Sequence, residues 1–148
     1  MATHLEARYK GGLSDADINP ATLALPTTAT SVSTTYIDLG TAYSGGKNPR
    51  LTNDMVRCVV DAQDGTTLGS ADTIIVDLEC SATSGSGYVK LIDNWITVTG
   101  TGSAVAETAK QTVIPSDSLR YIRATATCSD TGSGRDSTYV TLTYRHSS

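Results

Sequence analysis

Residues 121–128, Y-I-R-A-T-A-T-C, alternate without a break: Ile122, Ala124, Ala126 and Cys128 fall on one side of an extended chain, and Tyr121, Arg123, Thr125 and Thr127 on the other. Successive side chains of a strand leave the backbone on opposite sides, so a period of two marks a strand with one face buried. A helix cannot sort these residues in this way. Just upstream, Val113 and Ile114 form a short apolar run that ends in a turn led by Pro115; proline has no N–H to continue a ladder. A chain built around this stretch folds as sheets that bury alternate residues, which is sandwich architecture.

The rest of the chain fits that constraint. Gly, Ser and Asp clusters separate short stretches with strand patterning. The first places Thr35, Ile37 and Leu39 on one face and stops at Gly40, and the second spans residues 54–61. The third, residues 73–81, sets Ile74, Val76, Leu78 and Cys80 against Ile75, Asp77 and Glu79. Residues 88–92 and 95–99 read as two further strands separated by Asp93 and Asn94, and a last strand, residues 138–144, directs Val140, Leu142 and Tyr144 inward. Only residues 104–110 invite a helix, one too short to be stable alone. Seven or eight short strands, about a quarter of the residues Ser or Thr, and no Phe predict an all-β sandwich over residues 31–148. Pattern alone does not separate an immunoglobulin-like sandwich from a jelly roll. The Cys–Trp–Cys order of the former is missing, since Trp95 follows Cys80.

Residues 1–30 lack sustained periodicity. Leu5, Tyr9, Leu13, Ile18, Leu23 and Leu25 punctuate a polar stretch that contains Pro20 and Pro26 and ends rich in Thr. Such a stretch suits an extended N-terminal arm that docks on something, with Leu5, Tyr9 and Leu13 as candidate partner contacts. It equally suits a tail lying on its own domain.

Bulk properties exclude several functions. A length of 148 residues is that of one domain able to bury its own core. A formal net charge of −4 provides no basic field for phosphates, so neither nucleic acid nor an anionic membrane is an expected partner. No apolar run approaches the roughly 20 residues of a membrane helix, and M-A-T-H-L-E-A-R-Y-K has no signal-like apolar core, so a soluble, non-secreted chain is expected. Cys58, Cys80 and Cys128 are an odd count without C-x-x-C spacing, and each shares a strand face with aliphatic neighbours. They read as small buried hydrophobes, with a Cys80–Cys128 disulfide as the lesser reading.

Catalytic chemistry finds little footing. The histidines, His4 and His146, both lie at the chain ends, where no rigid partner can hold a general base. The carboxylate pairs Asp15 with Asp17, Asp61 with Asp64, and Asp77 with Glu79 suit turns and solvent-facing strand positions. D-A-Q-D-G-T departs from a calcium loop, with Gln63 at a ligand position and Gly65 one place early. The glycine-rich stretches at Ser84 and Gly100 lack a surrounding βαβ unit. A non-enzyme without catalytic residues, metal or cofactor is therefore expected. A sugar-binding sandwich would need aromatic platforms, and the chain offers Trp95 and seven tyrosines; Trp95 reads better as a core or rim residue.

Two stretches, S-T-T-Y-I-D-L-G at residues 33–40 and V-I-P-S-D-S-L-R-Y-I-R at residues 113–123, resemble the jelly-roll capsid cement (decoration) proteins of short-tailed phages, the family typified by the Bordetella phage. The resemblance runs over roughly residues 29–144 and keeps the same order: an I-D-L-G strand, middle strands rich in Val and Ile, the proline turn, the R-Y-I-R strand and a final V-x-L strand. It implies a jelly-roll-like antiparallel β-sandwich on the outer surface of a virion, assembled in the host cytoplasm. There it would clamp neighbouring major capsid proteins without covalent links, as a homodimer or, second, a trimer. Outward-facing Tyr121 and Arg123 are the candidate contacts on the R-Y-I-R strand, Tyr and Arg being enriched at binding hot spots; the plainer reading pairs Arg123 with a cross-strand carboxylate. Two other readings stay open, a carbohydrate- or receptor-binding module of a virion surface and a small hydrolase on a β scaffold.

Overall fold

The computed structural model describes residues 31–39, 55–62, 68–115, 117–129 and 138–145. The arm of residues 1–30, with Leu5, Tyr9 and Leu13, lies outside the described residues, as do His4 and His146. Among the described residues there are eight strand segments: β1 (Ser31–Ser33), β2 (Ile37–Asp38), β3 (Met55–Ala62), β4 (Thr73–Ser81), β5 (Val89–Thr99), β6 (Thr108–Val113), β7 (Tyr121–Cys128) and β8 (Thr138–Arg145). All are antiparallel and form two sheets. The larger, sheet A, has the order β1-β7-β4-β5, with β2 also on β7; the smaller, sheet B, has the order β6-β3-β8. No helix occurs among the described residues, so none is long and apolar enough to cross a membrane.

Alternation in the sequence becomes the core. Ile122, Ala124, Ala126 and Cys128 of β7 are fully buried, and they face inward with Ile74, Val76, Leu78 and Cys80 of β4. From sheet B come Val56, Cys58, Val60, Val140, Leu142 and Tyr144, all in the same cluster. All three cysteines are buried, and none is part of a disulfide. Burial in apolar surroundings pushes the Cys58 thiol up to about 12 and raises that of Cys80, so both are held as neutral, unreactive thiols.

The structure corrects the reading of three segments. Residues 104–110 form no helix: Thr108, Ala109 and Lys110 open β6 and pair with Val60, Val59 and Cys58. Backbone partners along β3 decide the outcome, because a stretch this short has no helical stability of its own. Asp93 and Asn94 are not a break between strands but lie inside β5, which runs unbroken from Val89 to Thr99. The opening strand is in turn a pair of segments, and of the three residues expected on its inner face Ile37 and Leu39 are buried while Thr35, between the segments, is exposed.

At one end of the sandwich the turn before β4 touches the segment after β5. Gly100 donates its N–H to Asp72 O at 2.7 Å, and a Cβ at position 100 would lie 2.1 Å from Gly69 O. Only glycine permits that approach.

Candidate functional site

The two sequence stretches singled out above meet in space. β2 pairs with the start of β7, Ile37 opposite Ile122 and Asp38 opposite Tyr121. Between β1 and β2 the chain stays on β7, with Thr34 N donating to Ala124 O and Ala124 N donating to Thr34 Oγ1. Leu39 N donates to Arg120 O at 2.8 Å, which closes the far end. Since Ile37 and Leu39 point inward, the alternate residues Tyr36 and Asp38 point out, toward the outer side of β7.

On that outer side Arg120 and Asp38 form a two-pronged ion pair, Nε to Oδ1 and Nη2 to Oδ2, both at 2.8 Å. Such a fork fixes both side chains in plane. The Asp38 carboxylate, first of all through this hydrogen bond, shifts the Arg120 guanidinium further toward its charged form. Arg120 also lies over the Tyr121 ring, 4.9 Å from its centre, and Tyr36 meets Tyr121 edge to face at 5.1 Å. One residue pair further along, Arg123 stands opposite Glu79 of β4. Its Nε donates to Glu79 Oε2 at 2.8 Å, and Thr125 Oγ1 donates to the same oxygen. The guanidinium stacks on Tyr88, 3.8 Å from the ring centre. Burial, partly offset by Arg123, raises the Tyr88 phenol, so it is a neutral hydrogen-bonding group at any ordinary pH.

The result is a patch of three tyrosines and two arginines on the outer side of sheet A. Each guanidinium is matched by a carboxylate, so the patch carries no net charge, and Tyr36 is exposed while Tyr88 and Tyr121 are half-buried. Three of the seven tyrosines of a chain without Phe are gathered in it. Of the residues expected from the sequence, Tyr121 and Arg123 lie in this patch. Arg123 is held by a cross-strand carboxylate, as the plainer reading has it, with the Tyr88 stack in addition. Tyr36, Asp38, Glu79, Tyr88 and Arg120 escaped the sequence reading. The alternation in Y-I-D-L could have revealed Tyr36 and Asp38, whereas Tyr88 enters only through the β4–β5 pairing. Trp95 lies in the core at 6% exposure and offers no platform to a sugar.

A second charged cluster lies on the same sheet. Between the pairs Val76–Ile96 and Leu78–Ile92, β4 has Asp77 alone while β5 carries residues 93–95, a bulge. Asn94 adopts a left-handed φ of 50° there, and its N–H donates to Asp77 Oδ1 at 2.8 Å. Lys90 bridges Asp77 Oδ2 at 3.0 Å and Asp93 Oδ1 at 2.6 Å. The hydrogen bond from Lys90 holds the Asp93 carboxyl below the usual range. Among the described residues, no three His, Cys, Asp or Glu side chains come together as metal ligands.

Comparison of the chain with protein-family models, with curated proteins and with solved structures finds no match.

Proposed function

We propose that this protein is a capsid cement protein, which binds the outer surface of a tailed-phage head and clamps adjacent major capsid proteins without covalent links, itself acting as a homodimer. The observation that carries this reading is the pairing of β2 with β7. The two stretches that resemble the cement family lie about eighty residues apart in the chain, yet they form one ladder, share the Asp38–Arg120 ion pair and together build the tyrosine–arginine patch. Residues that serve a lattice contact need to be held in place before contact, because ordering them on binding costs affinity. Arg120 and Arg123 are already fixed by carboxylates and rings. Tyr and Arg also supply most hot spots at protein interfaces. Many modest contacts of this kind, repeated over a lattice, add up through avidity.

Tyr121→Ala combined with Arg123→Ala tests the reading on purified heads. The double variant should keep its circular dichroism while binding heads more weakly by about 2 kcal/mol, roughly thirtyfold. Unchanged head occupancy, with the fold intact, would overturn it. Rings flanked by guanidinium–carboxylate pairs also suit sugar hydroxyls, and this favours a virion-surface carbohydrate-binding module as the second reading. Oligosaccharide binding that the same double variant abolishes, with head binding unchanged, would decide for it.

A further inference from the structure

The outer side of sheet B is built differently from that of sheet A. Val56, Cys58 and Val60 of β3 are fully buried, so the alternate residues Met55, Arg57, Val59 and Asp61 point away from the core. Residues directly opposite in a ladder share a face, which puts Ala109 of β6 and Thr141 of β8 on either side of Val59, and Val113 beside Met55. Ala109 and Val113 are exposed, Val113 at 43%, while Met55, Val59 and Thr141 are half-buried. An uncharged row therefore crosses the middle of the sheet through Val59.

Charge is arranged about that row. Arg57 stands two residues before Val59 and Asp61 two residues after it, each about 6.6 Å away along the strand. Arg145, opposite Met55, lies on the side of Arg57, and the exposed Glu107, which precedes β6, lies on the side of Asp61. On sheet A the arginines are matched by carboxylates of their own chain, whereas Arg57 and Asp61 have no ion-pair partner among the described residues. One end of the face is basic and the other acidic, so a copy turned end to end complements it.

We infer that the outer face of sheet B is a self-association surface, on which a second copy of this chain packs face to face about a two-fold axis crossing β3 at Val59. An axis lying between the two sheets and perpendicular to β3 sets Val59 against Val59, and Arg57 of each copy against Asp61 of the other, the reciprocal contacts of an isologous interface. An axis along β3 would set Arg57 against Arg57 and Asp61 against Asp61, so the order of the charges selects the antiparallel arrangement. Sheets stacked face to face lie about 10 Å apart with their side chains interleaved, a gap that an arginine and an aspartate span together. The face is small. Its three strands, about 4.8 Å apart and about 26 Å long, cover less than the roughly 800 Å² per partner of a standard interface, so the dimer dissociates on dilution. The inference rests on the homodimer of the proposed function and gives it an interface, one that leaves the tyrosine–arginine patch of sheet A uncovered.

Sedimentation of the purified chain tests this without heads. Wild type should pass from monomer to dimer as its concentration rises. Arg57→Asp and Asp61→Arg each set like charges against one another twice in the dimer, and each should weaken self-association about tenfold or more while keeping the circular dichroism of wild type. Mixed one to one, the two variants should dimerise as wild type does, since the arginines of one then face the aspartates of the other. A wild type that is monomeric at every concentration, single variants that associate as well as wild type, or a mixture that stays monomeric would each overturn the inference. When isotope-labelled and unlabelled wild-type chains are mixed, NMR contacts between molecules should link the Val59 methyls of the two copies. Intermolecular contacts through other residues alone overturn the assignment even if a variant does not fold. A protein that dimerises through this face but does not decorate heads keeps the interface and loses the cement reading; a monomer that decorates heads does the reverse.

Discussion

Sheet A carries two clusters of opposite charges, and they have different consequences. Around β5, Asp77 is buried at 6% exposure and commits its carboxylate to a backbone N–H and to Lys90. That cluster shapes the chain: it stabilises the bulge that turns Trp95 into the core. Around β7, the carboxylates of Asp38 and Glu79 meet guanidinium groups that lie on tyrosine rings, along a ladder that is already regular. These pairs leave the backbone path unchanged and hold a surface in place. Charged side chains thus shape the backbone where the ladder is irregular and present a surface where it is regular, because the bulge leaves a backbone donor, the Asn94 N–H, that the Asp77 carboxylate accepts.

Breaking the first cluster should have the largest effect. Asp77→Ala removes the acceptor for Asn94 N–H in a buried setting and should destabilise the fold by about 2–3 kcal/mol in urea denaturation. Asp77→Asn keeps an acceptor oxygen and should recover much of that loss. An alanine variant as stable as wild type would show that the bulge holds without the carboxylate.

Glu79→Ala should cost less, about 1 kcal/mol, since the Glu79–Arg123 pair is part-exposed and screened by solvent. Its more telling effect is on the Tyr88 ring: with Arg123 released from the carboxylate, Tyr88 should become more mobile by NMR. A rigid Tyr88 in that variant would mean that the stack, and not the ion pair, holds the patch.

Lys90→Gln should have the smallest effect. Lys90 lies on the surface, where an ion pair is worth little, so the Tm should stay within about a degree of wild type and depend little on salt. A large fall in Tm would place Lys90 with Asp77 as a determinant of the bulge and erase the distinction between buried and exposed members of that cluster.

Much of the sandwich was legible in the sequence. β4 occupies residues 73–81 as the alternation of Ile74, Val76, Leu78 and Cys80 predicts, and the four inward residues of β7 are all buried. The burial of the three cysteines follows from parity on the same strands. A period-two pattern is a local property of the chain, set by which side each residue takes, and it survives whatever the strand pairs with. The candidate patch was legible only through Tyr121 and Arg123.

Strand partners were decided by the tertiary structure alone. Nothing local tells Asp38 that Arg120 will be its counterion, or Glu79 that Arg123 will stand opposite; these pairs come from the antiparallel register of β2 and β4 on β7. The polar dipeptide Asp93–Asn94 looks like a break in any local window, and it becomes a bulge because Asp77, seventeen residues before Asn94, accepts its backbone N–H. Residues 108–110 are extended because β3 offers a ladder at that position. Side-chain parity depends on the chain's own geometry and can be read along it. Register and partner depend on the whole set of ladders forming together, and they have no signature within a single stretch.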